Sequence, residues 1–354
     1  MQTAADAAAD RTPRAEMSAL VLEAPGTISE QRMVTPAPRP GHYLVEIGLL
    51  GLCGTDLGFY DGSSNYLADG LKSFPFVFGH EWSGRVVGIG AGGTRFALGQ
   101  RVSGHNFRPC GRCASCSRGT PRYCPQRSEI GVLGAEPGAA ADYLEVPEDS
   151  LIGLPDPVGD AAAVLLEPGS AAVHAVRRLE ITGEDRVAVL GAGTLGLVAA
   201  QVCAGLGARV AVFDPQPGPR ELAAELGIAE VGAPQQAAPD AYSAVIEASG
   251  AVAAVRGAPE LCAPGGRIAQ LGTPHHAIDG FPAATLVVKN VTLHAVLSGI
   301  GYWADMLEFV EKRLLRLEPL VDSIHSRSEV GAAFGQLAAS GRRRPKILLR
   351  MNAR

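Results

Sequence analysis

The sequence predicts an α/β protein that combines a β-rich, barrel-like domain with a doubly wound parallel sheet. Short apolar runs interrupted by Gly and Pro extend from Ser18 to about Glu148, a pattern typical of short strands joined by turns. From about Ala161 onward, helical and strand patterns alternate, which indicates crossover helices between parallel strands. The 354 residues are 47% hydrophobic and 19% charged, and this composition suits two globular domains.

The same patterns predict individual elements. In the first part, apolar runs predict strands at 44–47, 84–87 and 101–103. In the second part, the predicted strands are 186–190, 209–213, 244–247, 267–271, 291–293 and 346–349, and the predicted helices are 161–179, 195–206, 220–226 and the amphipathic segment 303–317. Residues 1–16 are alanine-rich without an apolar core, so we expect a disordered tail rather than a secretory signal.

Charge and cysteine content exclude several function classes. The net charge of −5 and the lack of a basic face argue against nucleic acid and anionic membranes as partners. The uncharged stretch 187–208 is long enough to span a bilayer, but its five glycines favour a strand, a turn and a helix. Seven cysteines are too few for a disulfide scaffold in a chain of this length, so we expect a reducing, cytoplasmic compartment.

A glycine-rich turn follows the predicted strand 186–190 and opens a predicted helix, which is the context of a dinucleotide site. The first glycine permits a tight turn, the second lets the backbone approach a pyrophosphate, and the third lets the helix pack on the strand. Asp214 ends the next strand, where a carboxylate accepts ribose hydroxyls and repels a 2′-phosphate, so we predict NAD rather than NADP. The residues of the turn are Gly191, Gly193, Thr194, Leu195 and Gly196.

A second motif is a group of cysteines with the spacing C-x2-C-x2-C-x7-C. Four thiolates can close a tetrahedron around zinc and leave no position for a substrate, so the motif predicts a structural zinc site. An iron–sulfur cluster is the alternative, because a Cys-Pro pair at the end of such a motif also occurs in ferredoxins. The residues are Cys110, Cys113, Cys116 and Cys124, and Pro125 follows the last of them.

Two further segments supply a thiolate, an imidazole and a carboxylate at the ends of predicted strands. Cys53 lies in Cys53-Gly54-Thr55-Asp56, and His80 and Glu81 follow Gly79. Taken singly, Cys53 fits a core position and His80 fits a structural histidine. Together, and upstream of a nucleotide fold, they predict an open zinc site. We assign no catalytic role to His105, His174 or the His275-His276 pair, and we expect His174 to pack or cap.

With these motifs, the chain resembles the zinc-dependent medium-chain alcohol dehydrogenase family over nearly all of Met17 to Arg354. The segment from Gly79 to Gly84, followed by Gly90, is similar to the zinc signature of that family. The resemblance implies a GroES-like catalytic domain formed by residues 17–166 and 305–354. It also implies a Rossmann domain formed by residues 167–304, and a homodimer or homotetramer.

The resemblance extends to site residues. Leu165-Leu166-Glu167-Pro168-Gly169 is similar to the polyol and threonine dehydrogenase branch, in which glutamate replaces a cysteine ligand. The resemblance implies that a catalytic zinc is held by Cys53, His80 and either Glu81 or Glu167, and the choice between the two carboxylates stays open. Thr55 is the expected first proton acceptor from the alcohol. Further cofactor contacts are expected at Arg220, Leu271, Thr273 and Leu297.

Two features of the sequence depart from the family pattern. Gly58 stands where many members have a proton-relay histidine, and Ser298 and Gly299 stand where the sorbitol branch has an arginine and an aromatic residue. We therefore expect a zinc- and NAD-dependent dehydrogenase of a secondary alcohol: a polyol, a cyclitol or a hydroxylated metabolite. A ketone reductase of a biosynthetic pathway and a catalytically retired NAD-binding sensor are the alternatives.

Overall fold

The computed structural model of the protein describes residues 12–274 and 277–352. The chain divides into two compact units. Unit 1 contains the described residues up to Glu167, together with Ser323–Ala338 and 347–352, and unit 2 contains Pro168–Asp322 and Ala339–Lys346. The His275-His276 pair and residues 1–11 of the predicted tail lie outside the described residues.

The elements are numbered in chain order. The strands are β1 (Glu16–Ala24), β2 (Thr27–Val34), β3 (His42–Leu52), β4 (Phe76–Val77), β5 (Glu81–Ile89), β6 (Arg101–Gly104), β7 (Phe107–Arg108), β8 (Ser128–Glu129), β9 (Tyr143–Pro147), β10 (Leu151–Gly153), β11 (Arg186–Leu190), β12 (Arg209–Phe213), β13 (Glu230–Gly232), β14 (Tyr242–Glu247), β15 (Cys262–Gln270), β16 (Thr292–Ala295), β17 (Val321–Ser326) and β18 (Lys346–Arg350). The helices are α1 (Gly54–Asp61), α2 (Asn65–Ala68), α3 (Ala114–Ser117), α4 (Asp160–Val164), α5 (Leu166–Arg178), α6 (Thr194–Gly205), α7 (Pro217–Glu225), α8 (Val252–Leu261), α9 (Ala283–Val288), α10 (Trp303–Glu311) and α11 (Val330–Ala338).

Unit 1 is the predicted β-rich part. Its main sheet has the strand order β10-β6-β5-β3-β18-β17, with β9 also paired to β3, and smaller sheets have the orders β2-β1-β4 and β7-β8. The predicted strands 44–47, 84–87 and 101–103 lie within β3, β5 and β6. Buried aromatic side chains, among them Tyr43, Phe59, Phe78 and Trp82, fill a core with many aliphatic neighbours. Aromatic side chains therefore form part of this core although only 5% of the residues are aromatic.

Unit 2 is the predicted parallel sheet. Its strands run in the order β13-β12-β11-β14-β15-β16, and each neighbouring pair is parallel. Parallel neighbours require crossovers, and the helices between consecutive strands supply them. The uncharged stretch 187–208 forms β11, the glycine turn and α6, and no helix among the described residues is long and apolar enough to cross a membrane. The predicted α/β class with a Rossmann sheet is confirmed.

Two predicted helices differ from the structure. The segment 161–179 forms α4 and α5, because Pro168 has no N–H and its ring would collide with the carbonyl of Val164 in an unbroken helix. The segment 303–317 is helical only as α10. After it, Arg313 has φ +57°, its N–H is donated to Val310 O at 2.9 Å, and the N–H of Leu314 is donated to Phe309 O at 3.0 Å. This is a Schellman ending, which stops the helix at Glu311.

The predicted domain boundary after residue 304 also differs from the division into units. Residues 305–322 belong to unit 2 because α10 packs on α5. Arg177 of α5 pairs with Asp305 at 2.7 Å, and its guanidinium lies 5.7 Å from the ring centroid of Phe309. A Cβ on Gly169 would lie 2.4 Å from Met306 Cε, so the two helices are in close contact there.

The predicted tail is also shorter than expected. Arg14 donates a hydrogen bond to the buried carboxylate of Asp142, and Glu16 begins β1. The same carboxylate accepts the N–H of Ser18 at 2.8 Å and a hydrogen bond from Arg327. A buried carboxylate needs such partners, so residues 14–16 are held to unit 1 and the prediction of disorder is wrong for them.

Candidate metal centres and nucleotide site

Helix α1 positions the thiol of the first metal centre. Cys53 is the N-cap of this helix: its Sγ accepts the N–H of Thr55 at 3.3 Å, and Asp56 Oδ2 accepts the N–H of Cys53 at 3.1 Å. This is a reciprocal capping box built with a sulfur. The cap directs Sγ toward His80, whose Nε2 lies 3.3 Å away. The two candidate ligands therefore meet although 27 residues separate them.

Asp56 lies on the other side of the imidazole. Its Oδ1 is 3.6 Å from His80 Nδ1, and both atoms are buried without a hydrogen-bond partner among the described residues. A carboxylate beside the second ring nitrogen is the usual means of orienting a metal-binding histidine, because it holds the proton on Nδ1 and leaves Nε2 free to ligate. The orphaned pair therefore fits a metal ion on the Nε2 side.

The charges of this cluster depend on one another. Desolvation raises the pKa of the Cys53 thiol, and the neighbouring Asp56 carboxylate raises it further. Burial alone would lower the pKa of His80, but the charges of Cys53 and Asp56 outweigh it and raise that pKa well above its usual value. Burial likewise opposes ionisation of Asp56, yet His80 lowers the pKa of this carboxyl group. A metal ion that binds here must displace protons, so its affinity falls in acid.

Two glutamates lie beside the same histidine, in a second group that shares His80 with the group of Cys53, Asp56 and His80. Single ligand atoms of His80, Glu81 and Glu167 all lie within 4.8 Å of one another. Gly51 makes this possible, since a Cβ at that position would lie 2.6 Å from Glu81 Oε2 and 2.6 Å from Val164 Cγ1. We call Cys53, His80, Glu81 and Glu167 the mixed-ligand centre. A set of sulfur, nitrogen and oxygen donors centred on one histidine fits a catalytic zinc with an exchangeable position.

The second centre lies in the loop around α3. Its Sγ atoms all lie within 4.8 Å of one another, with 3.5 Å between Cys113 and Cys116. Backbone N–H groups of Arg112 and Cys113 lower the pKa of Cys110 to about 6, whereas desolvation and the hydrogen bond with Cys113 raise the pKa of Cys116 to about 11. Cys110 therefore becomes the thiolate that a metal requires before Cys116 does. We call this group the four-cysteine centre: Cys110, Cys113, Cys116 and Cys124.

In unit 2, the glycine turn has the geometry that a dinucleotide requires. Gly191 has φ +99°, and a Cβ there would lie 2.9 Å from Ser249 Cβ, so only glycine fits. A Cβ on Gly196 would lie 1.9 Å from Gly191 O, which means that helix and turn touch through backbone. Gly193 has no atom within 4 Å of a Cβ position, and this open space at the start of α6 fits a pyrophosphate.

Asp214 connects the end of β12 to this turn. Its Oδ2 accepts the N–H of Ala192 at 2.8 Å, and its Oδ1 accepts the N–H of Gln216 at 2.8 Å. The carboxylate is thus fixed beside the glycine turn with lone pairs left for ribose hydroxyls. Arg220 donates from Nη1 to the carbonyl oxygens of Asp214 and Pro215 at 2.8 and 3.1 Å, which holds its guanidinium at the same strand end.

Comparison with known proteins decides the family. Residues 39–156 match the alcohol dehydrogenase GroES-like domain, and residues 194–312 match the zinc-binding dehydrogenase domain. L-threonine 3-dehydrogenase of Chelativorans sp. (strain BNC1) is 34% identical over 303 residues, which are 82% of this chain and 85% of that protein. The chain belongs to the zinc-dependent medium-chain alcohol dehydrogenases.

Solved structures agree with this membership. An alcohol dehydrogenase from Escherichia coli CFT073 complexed with NADH has a TM-score of 0.86 at 25% identity, covering 95% of this chain and 100% of that one. A protein from Sinorhizobium meliloti 1021, described as a zinc-binding dehydrogenase bound to NADP, has a TM-score of 0.85 at 25% identity with the same coverage. The predicted polyol and threonine dehydrogenase branch is confirmed, and so is the prediction of an oxidoreductase that uses zinc and a nicotinamide dinucleotide.

The remaining predicted cofactor residues of the dehydrogenase lie in loops after the last strands of the sheet. Leu271 is buried, and its N–H is donated to Glu247 O at 2.8 Å. Thr273 is exposed, and its carbonyl oxygen would lie 2.6 Å from a Cβ on Gly250. Leu297 is partly exposed after β16. Their contacts with the cofactor stay predictions.

Two residues that organise these sites, Asp56 and Glu247, have no role in the predictions from the sequence. Asp56 was visible in the motif Cys53-Gly54-Thr55-Asp56, and the spacing of three from a capping residue was the available signal. Glu247, at the end of β14, is fully buried and accepts the N–H groups of Ser249 at 2.9 Å and Gly250 at 3.0 and 3.1 Å. It fixes the loop that packs against Gly191, and no local sequence pattern indicated this role.

Proposed function

We propose that this dehydrogenase oxidises a secondary alcohol of a small polar metabolite with NAD, releasing the ketone and NADH. The observation that carries the proposal is the mixed-ligand centre, in which His80 is shared by a thiol and two carboxylates. One more ligand than a three-residue catalytic site needs is available, so one carboxylate can yield to a substrate oxygen. The complete donor set argues against a retired sensor.

Zinc in this centre would act as a Lewis acid on the alcohol oxygen, and NAD would accept the hydride. The chain itself must hold the metal, orient the ligands and remove a proton. Asp56 orients His80, and Cys53 is held by the cap of α1. The Thr55 hydroxyl would accept the O–H proton of the alcohol and pass its own hydrogen onward to water, while the C–H bond gives its hydride to NAD. One proton and one hydride thus leave the substrate.

We infer that NAD is preferred over NADP. The two structural relatives were solved with different cofactors, NADH in one and NADP in the other, so overall similarity does not decide the preference. Asp214 supports NAD, because its carboxylate is fixed beside the glycine turn by two N–H groups. A negative charge there favours ribose hydroxyls and disfavours a 2′-phosphate.

The substrate class is supported by the relatives and limited by the departures of this chain. The curated relative at 34% identity is an L-threonine 3-dehydrogenase, so an amino alcohol or a polyol is the first choice. Ser298 and Gly299 stand where the sorbitol branch has larger side chains, which disfavours sorbitol itself. A cyclitol or another hydroxylated metabolite remains within the proposal, and so does ketone reduction in the cell, because the reaction is reversible.

We also propose a homodimer or homotetramer in a reducing, cytoplasmic compartment. Strand β16 is paired with β15, and among the described residues no strand pairs with its other edge. Leu293 on this strand is 42% exposed, and Val287 and Val288 of the preceding helix are 80% and 85% exposed. An apolar edge strand is a surface that a second copy can cover. The thiols of the four-cysteine centre, which are free, require reducing conditions to hold zinc.

Turnover of a substrate panel tests the proposal. The zinc-loaded protein is incubated with NAD and L-threonine, butanediols, linear polyols or cyclitols, or with NADH and the matching ketones, and NADH absorbance is followed. Cys53→Ser, which weakens the mixed-ligand centre, is the inactive control, and Cys203→Ser in α6 is the matched control at a buried cysteine outside both centres. We expect turnover with at least one class and none with Cys53→Ser. Turnover that survives Cys53→Ser undiminished contradicts the proposal.

A further inference from the structure

The segment between β16 and α10, Val296–Tyr302, lies at the carboxyl end of the parallel sheet. In such sheets a dinucleotide binds across the carboxyl ends, with its halves on either side of the switch point. Asp214 follows β12 on one side of β11, whereas β14, β15 and β16 lie on the other side. The adenosine ribose is thus assigned to the β12 side, and the loop after β16 lies on the nicotinamide side. We call Val296–Tyr302 the nicotinamide-side loop.

A buried histidine of α5 is bonded to this loop. His174 is 3% exposed, and its Nδ1 lies 2.7 Å from the carbonyl oxygen of Ser298. Because a carbonyl oxygen only accepts, Nδ1 must carry the hydrogen and donate it. The imidazole also stacks on the ring of Tyr302, with 4.5 Å between centroids and an angle of 16°. One side chain thus contacts the loop at its middle and at its end.

The loop backbone is held in a conformation that needs such support. Ser298 has φ +57°, a left-handed conformation that is unfavourable for a residue with a Cβ. At Gly299 the loop touches α5 directly, since a Cβ there would lie 1.9 Å from Ser170 Oγ and 2.2 Å from the carbonyl carbon of Ser170. The loop therefore rests on α5 through backbone at Ser170 and through a hydrogen bond one turn later at His174.

We propose that His174 is a positioning residue for the nicotinamide half of the cofactor. Its hydrogen bond to Ser298 sets the path of the nicotinamide-side loop, and thereby the place of the exposed Leu297 next to that half. Simple packing would require only a flat ring against Tyr302, which phenylalanine also supplies. The hydrogen bond from Nδ1 is what a histidine adds. The inference rests on the proposed NAD site at the carboxyl end of the sheet.

Two substitutions separate the hydrogen bond from the stack. His174→Phe keeps a ring on Tyr302 but leaves the Ser298 carbonyl without its donor. His174→Asn loses the ring but can keep a donor, because asparagine Nδ2 occupies the position of histidine Nδ1. His325→Phe is the matched control: His325 lies in unit 1, and its ring bonds to Gln336 at 2.7 Å.

The readout is equilibrium binding followed by NADH fluorescence, with ADP-ribose as a competitor that lacks the nicotinamide. We expect His174→Phe to weaken NADH binding by about 5- to 100-fold, the range for a buried carbonyl that loses its donor, while the affinity for ADP-ribose stays unchanged. His174→Asn should bind NADH within about threefold of the unmodified protein, and His325→Phe should be indistinguishable from it.

Other results would overturn the inference. They are unchanged NADH affinity in His174→Phe, equal losses for NADH and ADP-ribose, or an Asn variant as weak as the Phe variant. If His174→Phe does not fold, His174→Leu provides the comparison, since leucine has the shape of asparagine but no donor for the Ser298 carbonyl. It should weaken NADH selectively relative to His174→Asn, and unchanged NADH binding would refute the inference. If the unmodified protein binds neither ADP-ribose nor NADH, that result would instead refute the proposed NAD site.

Discussion

Replacing Asp214 by Asn tests cofactor choice with a minimal change. The carboxylate accepts N–H groups from Ala192 and Gln216, each at 2.8 Å. Asparagine keeps one acceptor oxygen, which can hold the contact with Ala192 in the glycine turn, whereas the contact with Gln216 and the negative charge are lost. A change in cofactor preference then reports the charge rather than the collapse of the turn.

The size of the effect follows from the charges. A 2′-phosphate carries about −1.5 to −2 at neutral pH, and a carboxylate about 6 Å away at an effective dielectric constant of about 20 repels each unit of that charge by about 3 kcal/mol. Arg220, bonded to the carbonyl oxygen of Asp214, offsets part of this repulsion. A net penalty of about 3 kcal/mol remains, so we expect NADH to bind about 10²-fold more tightly than NADPH.

In Asp214→Asn, the ratio of the NADPH and NADH dissociation constants should fall to within about tenfold of unity. Tighter NADPH binding and weaker NADH binding should both contribute, and the loss for NADH should be at most about tenfold because one charged acceptor for the ribose is lost. Fluorescence titration with both dinucleotides measures this directly. Asp240→Asn is the matched control, since Asp240 precedes β14 at the amino end of the sheet and pairs with Lys289. Equal binding of both dinucleotides by the unmodified protein, or an unchanged ratio in Asp214→Asn, refutes the reasoning.

Mild chelation should remove the ion of the mixed-ligand centre first and abolish turnover, while the circular dichroism spectrum stays unchanged. Elemental analysis should then still find the zinc of the four-cysteine centre. A single zinc per chain, or the visible absorbance of iron, in the untreated protein would contradict this prediction. Gly51→Ala should lower zinc affinity and kcat together, because the new Cβ would lie 2.6 Å from Glu81 Oε2, and a zinc titration with normal affinity would exclude the idea. Thr55→Ala should lower kcat by about 10²–10⁴ with zinc content unchanged, and Thr55→Ser should be mild; equal kcat for all three proteins would show that the proton leaves elsewhere. Burial lowers the pKa of Lys72 from 10.5 to about 8, so between pH 8 and pH 10.5 the unfolded chain holds a proton that the folded chain has lost. The free energy of unfolding of the unmodified protein, measured with urea relative to Lys72→Met, should therefore rise with pH in this range. A difference that stays flat or falls would contradict the lowered pKa.

The parts of the site that lie close together in sequence were predictable from it. The glycine turn and the four cysteines each lie within one short segment, so spacing alone predicts their geometry. The mixed-ligand centre is different, because Cys53, His80 and Glu167 come from separate elements. Residue types at the ends of predicted strands predicted that Cys53 and His80 meet, whereas only the resemblance to a family added Glu167. The spacing of Asp56 from Cys53 indicates a helix cap, but no local pattern indicates that this carboxylate also serves a histidine 24 residues away.

The boundaries of unit 2 were not predictable for a related reason. The apolar spacing in 303–317 predicts a helix with a buried face, but it does not identify the element that covers this face. In the structure α5 covers it through Gly169 and Arg177. The helix ends at Glu311, and Arg313 after it has the left-handed conformation that usually requires glycine. Because an arginine stands there, the sequence contains no signal for the end of the helix.

Gly58 has no side chain that could carry a proton, so a proton that leaves the mixed-ligand centre must pass through other groups. A Cβ on Gly58 would lie 3.6 Å from both Cα and Cβ of Ser64, in ordinary contact, and Gly58 O accepts the N–H of Ser64 at 2.9 Å. The segment around Ser64 is therefore packed against the position where the resemblance implies a relay histidine in many members of the family. Ser64 itself caps α2, with its Oγ accepting the N–H of Tyr66 at 3.3 Å. Of the hydroxyls on α1 and its flanking turns, Thr55 alone follows the proposed zinc ligand Cys53 within the same capping turn, and its N–H is bonded to Cys53 Sγ at 3.3 Å. Proton removal is therefore expected to begin at Thr55, and the missing histidine changes the later part of the route rather than its first step.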